Sequence, residues 1–423
     1  VKISIAIIAI GVIIFASHFF SGVFNKTKIP DTLWLFCIGL LLGPLLGFVS
    51  PATFGPVGNL FTAITLVVIL FESGLSLHLK SLKDSWKGTF RLTLLNFIAT
   101  VICVSSLVMY FTDLGILRSI ILGSILGGTS SAVVIGLTKQ LKLSRNAESI
   151  LVVESALSDI FTLAIPIALI TTYKSGDIDI PIMGLQMIAS LVVALILGCL
   201  GALVWSILLT KIRTIENTHF TTAAFVFIIY GVVEIFGFSG PITALAFGVT
   251  LGNIDNIKVP FIDKYVSHHR VSLNQEEKNF FSEMVFLLRT FFFIYIGVSI
   301  NLNDQRLLIV GLIITGILFL IRIPVVNYSI SKSIPVRDTS FMAVMIPKGL
   351  GAAVLASLPL QAGITGGEMI QTITFSIILF STVITTLMVF LIEKKTFVKS
   401  IYSVVFRRYN QNESISDSEK NIE

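Results

Sequence analysis

Charged side chains are scarce in this sequence: Asp, Glu, Lys and Arg make up 13% of 423 residues, while 54% are hydrophobic. So little polar surface cannot coat a soluble globule, and the mean hydropathy of +0.93 agrees; the chain reads as an all-α polytopic membrane protein. Cysteine is almost missing too. Cys37, Cys103 and Cys199 lie inside apolar runs without metal-type spacing, which excludes a disulfide framework, and no cofactor is expected. Lys and Arg outnumber Asp and Glu by 30 to 24, yet no cationic cluster is interleaved with aromatic residues, so no nucleic-acid partner is implied. A cation channel would need rings of acids or a repeated carbonyl filter, and neither occurs.

What the chain does have is a series of apolar segments, about thirteen between residues 2 and 392, cut by charged and Pro/Gly-rich breaks. The first, residues 2–20, carries no small-x-small cleavage pattern and is expected to be a retained helix. Of the 30 Lys and Arg, 23 fall in or beside the loops after odd-numbered segments and in the tail, whereas the other loops and the N-terminus hold only Lys2, Arg118, Lys174 and Arg306. The positive-inside rule then puts the N-terminus outside and the C-terminus in the cytoplasm of a multi-pass cell-membrane protein, which requires an odd number of spans. A transmembrane domain over residues 1–400 is expected, followed by a polar, disordered tail over 401–423.

An internal repeat is visible. Glu72-Ser73-Gly74-Leu75-Ser76 closes segment three (56–79), and Tyr295-Ile296-Gly297-Val298-Ser299 closes segment ten (279–300). About fifty residues beyond each lies a break inside an apolar segment: Gly127-Gly128-Thr129-Ser130-Ser131 in segment five (115–139) and Pro347-Lys348-Gly349-Leu350-Gly351 in segment twelve (339–361). Seven segments separate the two copies, so they run in opposite senses, as in the inverted repeats of secondary transporters. Glycine and proline weaken a helix, and broken helices at membrane depth are tolerated only where they face protein or a wet cavity.

Two acids stand in segment six (147–172), Glu154 and Asp159. A carboxylate in hydrocarbon costs roughly 3 kcal/mol or more, so such residues usually handle ions or protons. Ser155 precedes Asp159 by one helical turn and shares its face, about 6 Å away, a pairing that suits a hard monovalent cation or a proton. Glu154 lies about 140° round the helix from Asp159 and must address another neighbour. Arg322 in segment eleven (307–331) is the expected partner, because both sit roughly 10 to 14 Å from the cytoplasmic ends of their helices and an unpaired guanidinium there would be prohibitive. Glu72 could line an access funnel or add a ligand, and Lys348 suits the dipole ends of broken helices better than a substrate. Glu234, Glu283 and Arg289 read as interhelical or subunit contacts, and His268 with His269 as a solvated loop. Asp159 has no second aspartate at depth, which excludes an intramembrane aspartyl protease.

These residues together resemble the monovalent cation:proton antiporter superfamily, in particular its archaeal and bacterial sodium/proton exchangers. The likeness rests on Gly-Gly-Thr129-Ser-Ser, Glu154-Ser155-x-x-Ser158-Asp159, Arg322 and Lys348-Gly-Leu-Gly, and covers nearly the whole chain. It implies a transporter rather than an enzyme, with the sodium/proton antiporter fold and two broken crossing helices, exchanging Na+ (or K+) for H+ at Asp159. Ser155, Thr129, Glu72, Ser158 and Ser130 would be co-ligands, Glu154 and Arg322 a structural ion pair, and Lys348 the charge compensating the breaks. It further implies a homodimer in the lipid bilayer, with a mobile core bundle over about 90–172 and 307–392, dimer-side helices over 1–79 and 219–300, and a linking helix over 181–210. Two departures stand out: Thr129-Ser130-Ser131 replaces the frequent Thr-Asp-Pro, and Ser158-Asp159 the frequent pair of Asn or Asp with Asp.

The orientation is open to direct labelling. A single cysteine introduced between Lys80 and Lys87 is expected to react with impermeant reagents only from the cytoplasmic side, and labelling from outside would overturn the topology.

Overall fold

The computed structural model describes residues 2–27, 29–50, 55–77, 86–175, 180–212, 219–256, 272–302, 304–394, 396–407 and 409, and every long regular element among them is a helix. The chain divides into two compact units. One comprises Val1–Phe54, Asp84–Thr162 and Thr290–Glu423, the other Gly55–Lys83 and Leu163–Arg289.

The first unit holds α1 (Lys2–Thr27), α2 (Asp31–Leu40), α4 (Trp86–Phe111), α5 (Ile116–Ile125) and α6 (Ser131–Leu141). From α7 (Arg145–Ser175) it takes the first half, and from α11 (Gln275–Ser299) the last turns. It is completed by α12 (Gln305–Ser329), α13 (Val336–Val344), α14 (Leu350–Gln361), α15 (Gly367–Lys394) and α16 (Thr396–Val405). The chain leaves helix at 126–130 and again at 345–349, so that two short helices flank each five-residue break and a long helix follows, α7 after the first and α15 after the second. These are the two Gly-rich interruptions expected from the sequence. Around them α12 packs on α4 and α15, α5 on α4, and α14 on α15.

The second unit holds α3 (Gly55–Ser76), the second half of α7, α8 (Ile180–Ile212), α9 (His219–Ile235), α10 (Gly240–Gly252) and most of α11. Its centre is α10, buried almost all round and packed on α3 and α8. Phe71 fills the middle, with ring centroids 4.8 Å from Phe281 and 5.7 Å from Phe247. At the head of α10, Glu234 accepts the Gly240 amide at 2.8 Å, so this acid caps a turn within its own unit. Glu283 is exposed, and the Arg289 guanidinium lies 5.6 Å from the Phe286 ring centroid.

The glycine of the repeated Gly-x-Ser motif does the same work in both copies. A Cβ on Gly74 would stand 2.5 Å from the Leu245 carbonyl oxygen, and one on Gly297 would stand 2.8 Å from the Cα of Gly39. Each copy therefore marks a backbone-to-backbone helix crossing that only glycine permits, α3 against α10 in one unit and α11 against α2 in the other.

Seven described helices are long and apolar enough to cross a bilayer singly, and six shorter apolar helices of 10–17 residues accompany them. Among the described residues, length and composition alone license seven of the thirteen crossings expected. At the C-terminal end, α16 enters the stretch expected as a tail, where Tyr402, Phe406 and Tyr409 are buried and the Tyr409 hydroxyl donates to the Asn327 carbonyl at 3.1 Å. Lys80, Lys83, His268, His269 and the rest of the tail from 410 onward lie outside the described residues.

Candidate functional site

The breaks meet in the middle of the first unit. At the first, the helix of α5 stops after Ile125 and leaves carbonyls without amide partners, the negative end of its dipole. Lys348, only 2% exposed, sends its ammonium from the second break to the Gly128 carbonyl at 2.9 Å. In return the Ser130 amide, just ahead of α6, donates to the Pro347 carbonyl at 2.7 Å. A Cβ on Gly349 would stand 2.6 Å from the Ser130 Cβ, so the chains touch where glycine leaves room. Each break also takes a hydroxyl from the long helix that follows it. Ser158 Oγ accepts the Thr129 amide at 3.1 Å, and Ser381 Oγ accepts the Lys348 amide at 3.0 Å.

The two acids of α7 part company as their spacing requires. Glu154 receives both Arg322 terminal nitrogens, one on each carboxylate oxygen, the Nη2 to Oε2 distance being 2.6 Å. Both residues are at most 1% exposed, and Arg322 Nε donates to the Met342 carbonyl at 3.2 Å, tying α7, α12 and α13 together. Asp159 is less enclosed. It is half-buried and, among the described residues, accepts one hydrogen bond, from Ser131 Oγ to Oδ2 at 2.8 Å. Ser131 is the first residue of α6, so the carboxylate lies beside a helix N-terminus, where negative charge is favoured.

The remaining residues singled out in the sequence fall as follows. Ser155 is buried and its hydroxyl donates to the Val152 carbonyl at 2.9 Å; Ser158 donates to the Ser155 carbonyl at 2.8 Å and lies 3.4 Å from Thr129 Oγ1. Thr129, Ser130, Ser155, Ser158 and Asp159 are thus linked through the first break and the α7 turn beside it. Glu72 stands near the end of α3 in the second unit, within electrostatic reach of Arg289 of that unit.

Sequence reasoning missed Ser131 and Ser381. Ser131 belonged to the recognised Thr129-Ser130-Ser131 run, but nothing in a spacing of 28 residues says which hydroxyl turns toward Asp159. Ser381 sits in an ordinary apolar helix, and only the position of Ser158 after the first break could have drawn attention to it.

Because Glu154 and Arg322 are both enclosed and doubly bonded, removing either strands a charge. Glu154→Ala and Arg322→Ala are each expected to destabilise the protein by about 3–5 kcal/mol, and the double variant by less than the sum. A thermal-unfolding cycle checks this, and strict additivity would show that the two charges act independently.

Comparison with known proteins follows the same lines. The family described as sodium/hydrogen exchanger, transmembrane, matches residues 11–395. The K(+)/H(+) antiporter NhaP2 of Shewanella sp. (strain MR-4) is 22% identical over 374 residues, which cover 85% of this chain and 62% of that protein. The chain therefore spans less than two thirds of the length of the first curated relatives it matches. The Na(+)/H(+) antiporter 1 of Methanocaldococcus jannaschii is 23% identical over 380 residues, covering 84% of this chain and 83% of that one. Among solved structures, the sodium proton antiporter MjNhaP1 from Methanocaldococcus jannaschii at pH 8 superposes with a TM-score of 0.70 at 20% identity, over 96% of this chain and 99% of the other. That likeness shows the fold. With a family match over nearly its whole length, the chain belongs to the transmembrane sodium/hydrogen exchanger family.

Proposed function

We propose that this protein is a secondary transporter that exchanges a monovalent cation, sodium in the first instance, for protons by alternating access. The observation that carries the reading is the contrast between the two acids of α7: Glu154 is consumed by Arg322, while Asp159 beside the break is half-buried and, among the described residues, holds a single hydroxyl hydrogen bond. A carboxylate so placed takes either a cation or a proton. Competition between them couples the two fluxes, because the site crosses the membrane when Asp159 is neutralised by one ligand or the other, and the bare charge is too costly to move through an apolar barrier. Ser155, Ser158, Thr129 and Ser130 supply oxygens around it. The core bundle over 90–172 and 307–392 carries the site, Lys348 offsets the exposed carbonyl dipoles of the break, and the protein works as a homodimer with its N-terminus outside and its C-terminus in the cytoplasm.

A second reading, potassium/proton exchange on the same scaffold, draws support from the K(+)/H(+) antiporter relatives and from Ser130, which stands where many members carry an acid. Fewer fixed charges favour a weakly hydrated ion.

Asp159→Asn keeps the shape and removes the charge, so folded variant in proteoliposomes is expected to show no proton release on addition of Na+ or K+. Exchange at the parent rate would end the proposal, and the ratio of Na+ to K+ responses in the parent decides between the two readings.

The stoichiometry follows from the same inventory. With Glu154 paired and hydroxyls at Ser130 and Ser158, one carboxylate titrates per cycle, so one cation exchanges for one proton and no net charge moves. Clamping the membrane potential with a potassium ionophore is expected to leave sodium-driven proton flux unchanged. A transport current on solid-supported membranes that scales with turnover would reveal a second titrating group coupled to Asp159.

A further inference from the structure

The long helix after each break offers it a serine and, four residues on, a threonine. On α15, Ser381 and Thr385 stand four residues apart and share a face. Ser381 takes the Lys348 amide, and Thr385 Oγ1 donates at 3.2 Å to the carbonyl of Val344, four residues before Lys348. On α7, Ser158 and Thr162 stand four apart in the same way, and Ser158 takes the Thr129 amide. Here the parallel stops. Thr162 Oγ1 has no hydrogen-bond partner among the described residues, although Thr162 is only 3% exposed. The hydroxyl is aimed into the first break, since a Cβ built on Gly128 would stand 2.6 Å from Thr162 Oγ1. Thr32, Thr65, Ser144, Ser299 and Ser329 also carry buried hydroxyls without a partner among the described residues, so it is the place of Thr162 against the break, together with its unmatched hydroxyl, that invites an occupant.

The place of that hydroxyl says what the occupant is. Thr162 follows Asp159 by three residues, which puts the two side chains on neighbouring positions of one helical face. The other hydroxyls here have given up their protons: Ser131 to Asp159, Ser155 to Val152 and Ser158 to the Ser155 carbonyl. Among the described residues Thr162 keeps both its proton and its lone pairs unspent, and those lone pairs can take a cation or a water molecule that travels with one.

We infer that the Thr162 hydroxyl is a ligand of the transported monovalent cation, directly or through one retained water, and that it sets the affinity and alkali-ion preference of the site. The inference deepens the proposed cation/proton exchange and rests on it. Satisfying Thr162 on the backbone ahead of the break, as Thr385 is satisfied on the Val344 carbonyl, would close the position; leaving it unmatched in the repeat that also carries Asp159 keeps one oxygen for the ion. Gly128 is then required for more than the break itself, because any side chain there would fill the space in front of the hydroxyl.

Thr162→Val keeps the shape and removes the hydroxyl, and Thr162→Ser keeps the hydroxyl. Both variants and the parent are reconstituted in liposomes for cation-driven proton release with Na+, Li+ and K+, and their melting temperatures are measured in detergent with and without each cation. Thr162→Val is expected to raise the half-saturating Na+ concentration by about five- to tenfold, the worth of one hydroxyl ligand. It should also shrink the Na+-induced rise in melting temperature and change the Na+ to Li+ ratio, while its melting temperature without cation stays at the parent value. Thr162→Ser should return to within about twofold of the parent. Unchanged half-saturation in Thr162→Val overturns the inference while leaving the exchange reading intact. A lower cation-free melting temperature that accounts for the whole loss assigns Thr162 to the scaffold and also overturns it. A parent that neither exchanges nor is stabilised by any of the three cations removes the exchange reading, and this inference with it.

Discussion

Everything in the first unit depends on how two interrupted helices satisfy their backbone groups without water. A helix broken inside an apolar layer exposes amides and carbonyls whose desolvation costs several kcal/mol each if they stay unpaired. Here each break answers the other: Lys348 of the second meets the Gly128 carbonyl of the first, and the Ser130 amide of the first meets the Pro347 carbonyl of the second. Serines 158 and 381 take the next amide in each case. The breaks are therefore possible only where they cross, and this fixes the positions of α5, α6, α13 and α14. It also fixes the helices α7 and α15 that supply the serines.

A second consequence is the separation of structural from chemical charge on one helix. Glu154 and Asp159 share α7 and are only five residues apart, yet that offset turns them to different neighbours. Glu154 faces α12 and α13, where Arg322 encloses it and also holds the Met342 carbonyl at the end of α13. Asp159 faces the start of α6 and, among the described residues, takes its hydrogen bond from Ser131. Burying a charge is tolerable where its partner is fixed, and leaving one half-satisfied makes sense where the partner comes and goes.

The repeats show how far symmetry was kept. Short helix, five-residue break, short helix and long helix recur in the same order, with a serine from the long helix on the break, and the motif glycines Gly74 and Gly297 each sit at a backbone crossing. The differences lie in the chemistry. The second copy carries the lysine and closes its hydroxyls on its own backbone; the first carries the aspartate and leaves Thr162 unmatched. One copy supplies the buried ammonium of Lys348 and the other the carboxylate of Asp159.

Composition and local pattern determined a good deal of this. Scarcity of charge determined a polytopic membrane protein, because a surface this apolar has no other solvent. Glycine, proline and hydroxyl clusters inside apolar runs located both breaks, since such residues defeat a helix wherever they stand. The five-residue spacing of Glu154 and Asp159 separated their roles, because helical periodicity is the same in every fold. Where the helix axis breaks was legible, but how the short helices on either side of each break are placed was not, because hydropathy joins them into one span without seeing where the axis bends. Only the tertiary structure decided that Ser131 rather than Ser130 holds Asp159, that Ser381 caps the second break, that Tyr409 packs the chain beyond α16 onto the end of α12, and that Thr162 is left open. Each of these depends on which way a side chain turns across a contact between residues far apart in sequence. Periodicity within one helix carries no information about that.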